Sequence, residues 1–164
     1  MKISEIMSVN SIVLSLKANN KRQLLQALAE KAAEITGISE RTIFDTILER
    51  ENLGSTGFGG GTALPHGRLA ELNKVYGFFA RLHAPLDFDA IDDKPVDLVF
   101  LLLSPESNGA DHLTALAQIS RILKDEATCN FTLFSLLVSI FRCLLIFRQI
   151  HYSSFNFEGN IFSI

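Results

Sequence analysis

The stretch that most constrains the fold is residues 96–103, Val-Asp-Leu-Val-Phe-Leu-Leu-Leu, a nearly uninterrupted apolar run. Such a run suits a strand covered on both faces, so the chain must supply a layer on each side of it. Residues 11–16 and 75–82 read as further strands. Between them the pattern changes to helical spacing, with Leu24, Leu25, Leu28, Ala32 and Ile35 recurring behind the capping residue Asn20 and before the stop at Gly37. A second helix opens at Ser39, a favoured N-cap, and carries Ile43, Phe44, Ile47 and Leu48 on one face. After a turn at residues 105–109, residues 111–124 form a third helix with Leu113, Leu116, Ile119, Ile122 and Leu123 in period. Strands interleaved with helices indicate an α/β layer fold. The 164 residues allow one domain and are too few for a barrel of about 250. There is no internal repeat and no interdomain linker.

The net charge of −3 and pI of 5.8 give no electrostatic reason to expect nucleic acid as a partner. Any bound anion must be held locally. Hydrophobic residues make up 48% of the chain, enough for a core, but the average covers two compositions. Residues 1–128 hold 6 of the 13 Phe with 13 basic and 17 acidic residues, whereas residues 129–164 hold 7 Phe, both Cys and only three charged side chains, Arg142, Arg148 and Glu158. Cys129 and Cys143 form neither a CxxC pair nor a disulfide framework, which suits a reducing cytosol. No secretory signal is visible at the start. The apolar stretch at 131–147 is shorter than the roughly 20 residues of a spanning helix and contains Arg142, so no membrane span is expected.

Chemistry concentrates in residues 48–69. Five of the ten Gly fall at 54, 57, 59, 60 and 61, where the backbone can adopt positive φ and bring several N–H groups to an anion. This is not a P-loop, because no Lys followed by Ser or Thr comes after the glycines, and no GxGxxG frame survives. Beside it lies Pro65-His66-Gly67. Pro65 biases Leu64 towards extended geometry and Gly67 permits a turn after the imidazole, so His66 can be presented at a strand end in a defined direction. A lone histidine is usually an ordinary core or surface residue; this framing is what singles out His66. Neutral imidazole is a nucleophile near neutral pH and can attack phosphorus. Arg50 offers a planar fork for phosphoryl oxygens, and Gly54, Ser55, Thr56, Gly57 and Gly67 are the expected phosphate-cradling positions. His112, in the first turn of its helix beside Asp111, is the second candidate histidine. His83 and His151 lack such a setting, and the four His show no metal-ligand spacing. Asp87, Asp89, Asp92, Asp93 and Asp97 lack the spacing of a calcium loop and read as a solvated hairpin. Neither a metal nor a cofactor is expected.

The segments Arg50-Glu-Asn-Leu-Gly-Ser-Thr-Gly57 and Ala63-Leu-Pro-His-Gly-Arg68, with Phe88-Asp-Ala-Ile-Asp-Asp-Lys-Pro-Val-Asp-Leu98 and Asp111-His-Leu113, resemble the enzyme IIA domains of the fructose/mannitol class of the bacterial phosphotransferase system, most of all its stand-alone nitrogen-regulatory branch. The resemblance covers residues 1–128. It implies a three-layer α/β/α sandwich around a mixed sheet with the active site at strand and loop ends. It also implies that His66 accepts a phosphoryl group from a histidine phosphocarrier protein, that His112 and Arg50 assist, and that the phosphorylation state controls binding to regulatory and potassium-transport proteins. A cytoplasmic location is expected, in keeping with the cysteine usage. The alternatives are a sugar-transport enzyme IIA that passes the group to an enzyme IIB, and an inactive truncated homologue. From Cys129 the sequence departs from the family. The 129–164 tail reads as a frame-shifted or recombined gene end that replaces the last family helix and leaves part of the core uncovered.

Overall fold

In the computed structural model, which describes residues 3–107 and 109–124, the apolar run forms the central strand of a six-stranded mixed sheet. The elements run α1 (Ile3–Ile6), a 3-10 turn (Val9–Ser11), β1 (Ile12–Leu16), α2 (Lys21–Thr36), α3 (Glu40–Asn52), β2 (Gly57–Gly59), β3 (Thr62–Ala63), β4 (His66–Leu69), β5 (Tyr76–Leu86), β6 (Val96–Pro105) and α4 (Gly109–Lys124). The sheet order is β1-β5-β6-β3-β2, and β4 also pairs with β6. β5 and β6 are antiparallel, β1 runs parallel to β5, and β3 and β4 run parallel to β6 one after the other along the same edge.

Alternation along β5 and β6 sends successive side chains to opposite faces. Phe78, Ala80 and Leu82 with Val99, Leu101 and Leu103 join one core with Leu24, Leu25 and Leu28 of α2 and Ile43, Phe44 and Ile47 of α3. Phe79, Phe100 and Leu102 are also buried but point the other way, to the face that α4 covers with Ala115, Ile119 and Leu123. Each of the buried Leu, Ile, Val and Phe side chains contributes roughly 1.5–3 kcal/mol relative to leaving it in water. The result is the three-layer α/β/α arrangement.

Helix α2 begins and ends as its residues dictate. The Asn20 side chain accepts a hydrogen bond from the Gln23 amide, and Gly37 closes the helix at φ 75°. Helix α3 begins after Ser39, but the Ser39 side chain makes no capping bond. Three expectations need revision. The 75–82 strand runs on to Leu86, the expected 105–109 turn is shortened because β6 extends to Pro105 and α4 starts at Gly109, and the strand expected to begin at residue 11 begins at Ile12, Ser11 closing the 3-10 turn. The 129–164 tail lies outside the described residues.

Candidate active site

His66 is the first residue of β4, opposite Leu102 of β6, and therefore lies on the α4 face of the sheet. Leu64 and Pro65 interrupt the edge between β3 and β4, and the Pro65 carbonyl still accepts the Leu102 amide. Gly67 does not turn the chain as expected; it continues the strand. Its need for glycine is steric, because a Cβ there would stand 2.9 Å from Thr46 Cγ2 of α3. Close approach of α3 to β4 brings the end of that helix, and Arg50 with it, to the imidazole.

Two hydrogen bonds define the ring. Nδ1 lies 2.9 Å from the Leu64 carbonyl oxygen, which can only accept, so Nδ1 carries the proton. Nε2 is then the lone-pair nitrogen, and it accepts from Arg50 Nε at 2.9 Å. Arg50 Nη1 donates at the same time to the Gly54 carbonyl at 3.0 Å. His66 is held below the ordinary imidazole pKa, chiefly by burial; the Leu64 carbonyl and Glu51 act upwards, and Arg50 and Arg68 downwards. A neutral ring with its lone pair on Nε2 is a nucleophile at neutral pH once the Arg50 donor moves aside.

His112 enters from the first turn of α4, its ring centroid 5.5 Å from that of His66. It is buried, and its Nδ1 lies 2.6 Å from Ser104 Oγ of β6. Burial, then the nearby His66, Arg68 and Arg50, lower its pKa to about 4. Both histidines are thus neutral at pH 7.

The expected phosphate-cradling residues divide. Gly54 follows α3 and offers its carbonyl to Arg50. Ser55 donates to the Phe88 carbonyl at 2.8 Å and accepts from the Gly57 amide at 3.2 Å. Thr56 gives both its amide and its hydroxyl to the Glu51 carboxylate, the hydroxyl at 2.5 Å. Gly57 packs against Ala90, and its carbonyl accepts from Ile91. The amides of Thr56 and Gly57 are therefore engaged within the protein and shape the loop. The glycine run is occupied as well. Gly59, Gly60 and Gly61, all at positive φ, turn the chain between β2 and β3, and the Gly60 amide donates to Asp92 at 3.0 Å. That bond, with help from Lys94, holds the Asp92 carboxyl below its usual range. The Asp-rich connection is a β5–β6 hairpin that folds its own carboxylate into the glycine turn.

Three residues at the site escaped sequence reasoning. Glu51, 6% exposed, accepts from Thr56 and pairs with Lys21 Nζ at 2.7 Å; Lys21 also lies 4.6 Å over the Phe88 ring. The signal for Glu51 was present, since 44, 47 and 51 share the inner face of α3. Ser104 alternates with Leu102 and Phe100 on β6, but nothing in sequence announces its meeting with His112. Among the described residues no group of His, Cys, Asp or Glu is arranged to hold a metal ion, and no helix is long and apolar enough to cross a membrane.

Residues 5–131 match the family described as phosphoenolpyruvate-dependent sugar phosphotransferase system, EIIA 2. The nitrogen regulatory protein of Bradyrhizobium diazoefficiens is 54% identical over 126 residues, 77% of this chain and 82% of that protein. That of Escherichia coli K12 is 35% identical over 131 residues, covering 79% and 80%. Among solved structures, the nitrogen regulatory protein IIA-Ntr of Neisseria meningitidis superposes with a TM-score of 0.73 at 36% identity, covering 76% of this chain and 86% of that one. The mannitol IIA of Escherichia coli, at 21% identity and a TM-score of 0.63 over 74% and 85%, shares the fold.

Proposed function

The chain belongs to the EIIA 2 family of the phosphoenolpyruvate-dependent sugar phosphotransferase system, and on that premise we propose that it accepts a phosphoryl group on His66 Nε2 from a small histidine phosphocarrier protein and signals by its phosphorylation state. The observation that carries this reading is the pair of bonds on the ring, Leu64 carbonyl to Nδ1–H and Arg50 Nε–H to Nε2. The Nε2 lone pair attacks phosphorus, the P–N bond to the carrier's imidazole breaks, and that imidazole leaves with the bonding pair. No proton need move. The ring of His66 becomes cationic as the bond forms, and the Leu64 carbonyl and the nearby Glu51 favour that charge. Arg50 releases Nε2 and turns its donors to the phosphoryl oxygens, where a charge-assisted bond is stronger. Gly54, Ser55, Thr56, Gly57 and Gly67 hold the loop and strand that keep Arg50 and His66 in register.

Leu53, which follows α3, and Leu113, next to His112, are 87% and 63% exposed and offer a protein partner apolar contacts beside the site. The phosphate adds about two negative charges at this surface, the basis of a switch in partner binding. Relatives named as nitrogen regulators favour a regulatory role over a sugar-transport one. A cytoplasmic setting, where the carrier would be met, fits this reading. Incubation with phosphorylated carrier is expected to add one acid-labile phosphoryl group, absent in His66→Ala. Labelling retained in that variant would refute the assignment. Rapid onward transfer to a sugar-specific enzyme IIB, without any state-dependent regulatory partner, would favour the transport alternative.

A further inference from the structure

Ser104 is fully buried on β6, opposite Arg68 of β4 and on the same sheet face as His66 and α4. Its Oγ lies 2.6 Å from His112 Nδ1. A hydroxyl both donates and accepts, while a neutral imidazole has one nitrogen of each kind, so this contact has two possible senses. Among the described residues the His112 ring is the hydrogen-bond partner of the Ser104 side chain. If Nδ1–H donated to Oγ, the hydroxyl hydrogen would be left buried without an acceptor, which proteins avoid. The favoured sense is Ser104 O–H donating to Nδ1, with the ring proton of His112 on Nε2.

The consequence matters because His112 is neutral at pH 7, its pKa lowered to about 4 first by burial and then by His66, Arg68 and Arg50. A neutral ring has one N–H, and without a partner at Nδ1 that proton can sit on either nitrogen. The 5.5 Å between ring centroids brings His112 within reach of a group carried by His66. We propose that Ser104 is a positioning residue that locks His112 in the Nε2–H tautomer, so that His112 serves as a hydrogen-bond donor to the phosphoryl group on His66. The inference rests on the reading of His66 as phosphoacceptor. It assigns His112 a donor role and withholds from it that of a second nucleophile, since an Nε2 that carries the proton has no free lone pair.

The test uses the full chain labelled with 15N. Long-range proton–nitrogen correlation at pH 7 should show His112 Nδ1 unprotonated and Nε2 protonated. Ser104→Ala should populate the Nδ1–H form and shift the phosphoryl-exchange equilibrium with the carrier about three- to tenfold away from the chain, with the KM for the carrier unchanged. Ser104→Thr, which restores the hydroxyl, should restore both. A wild-type His112 protonated on Nδ1 would overturn the proposal whatever the variants do. So would an exchange equilibrium unmoved by Ser104→Ala, even with an altered tautomer. No transfer to the wild type would instead remove the phosphoacceptor reading itself.

Discussion

The chemistry of His66 is set by which atoms touch its two nitrogens. The Leu64 carbonyl, two residues back, fixes the proton on Nδ1, and the Arg50 guanidinium points an N–H at Nε2. Arg50 therefore has two effects, lowering the affinity of the ring for a proton and waiting beside the position the phosphoryl group would take. Arg50→Gln should raise the His66 pKa, because a cation that disfavours the imidazolium is gone; a proton titration of the ring by NMR would read that shift. The same variant should slow phosphoryl acceptance by about 10- to 100-fold, the equivalent of losing one charge-assisted hydrogen bond of about 1.5–3 kcal/mol. Sequence alone singled out Arg50, His66 and His112. It could not supply Ser104 or Lys21, whose parts depend on contacts across 8 and 30 residues that no local pattern encodes.

At the level of elements, legibility followed periodicity. Helix α2 has both a strong apolar period and chemical punctuation, and its boundaries were read from Asn20 and Gly37. Strands β2, β3 and β4 have two to four residues each, too few for any period, and apart from a strand end at His66 the segment was read as a glycine-rich loop. Of the five glycines read as able to adopt positive φ, 54, 59, 60 and 61 do so and Gly57 does not, and the acceptor of the Gly60 amide is Asp92. Recognising that would have required knowing that the Asp-rich hairpin folds back onto the turn. Gly67 is the clearest case of a residue whose reason is tertiary. A methyl group at 67 would press on Thr46 Cγ2, and Thr46 is held in its rotamer by a 2.8 Å bond from Oγ1 to the Thr42 carbonyl. Gly67→Ala should therefore push α3 from β4, lower stability by about 1–3 kcal/mol, and weaken the Arg50–His66 bond. Denaturant unfolding with a parallel phosphorylation assay would check both effects.

Across the whole domain, the buried His112 and the half-buried His66, both neutral, make stability depend on pH. Above pH 6.5 the folded and unfolded chains both leave His112 neutral. As the pH falls, the unfolded chain takes up a proton at about 6.5 while the folded one resists until about 4. Stability is therefore lost on acidification, by about 2 kcal/mol between pH 7 and 5 from His112 alone, and the lowered pKa of His66 acts in the same direction. Unfolding curves at both pH values, compared with a His112→Gln variant, would show a shallower pH dependence in the variant. The three-layer architecture was legible from one feature, the apolar run that became β6, since a strand with both faces buried requires covers on both sides. Phosphorus–nitrogen coupling in the 15N-labelled chain, after transfer from phosphorylated carrier, identifies the nucleophile. Coupling of 31P to Nε2 of His66 is the predicted result. Coupling to Nδ1 of His66, or to any nitrogen of His112, would contradict it.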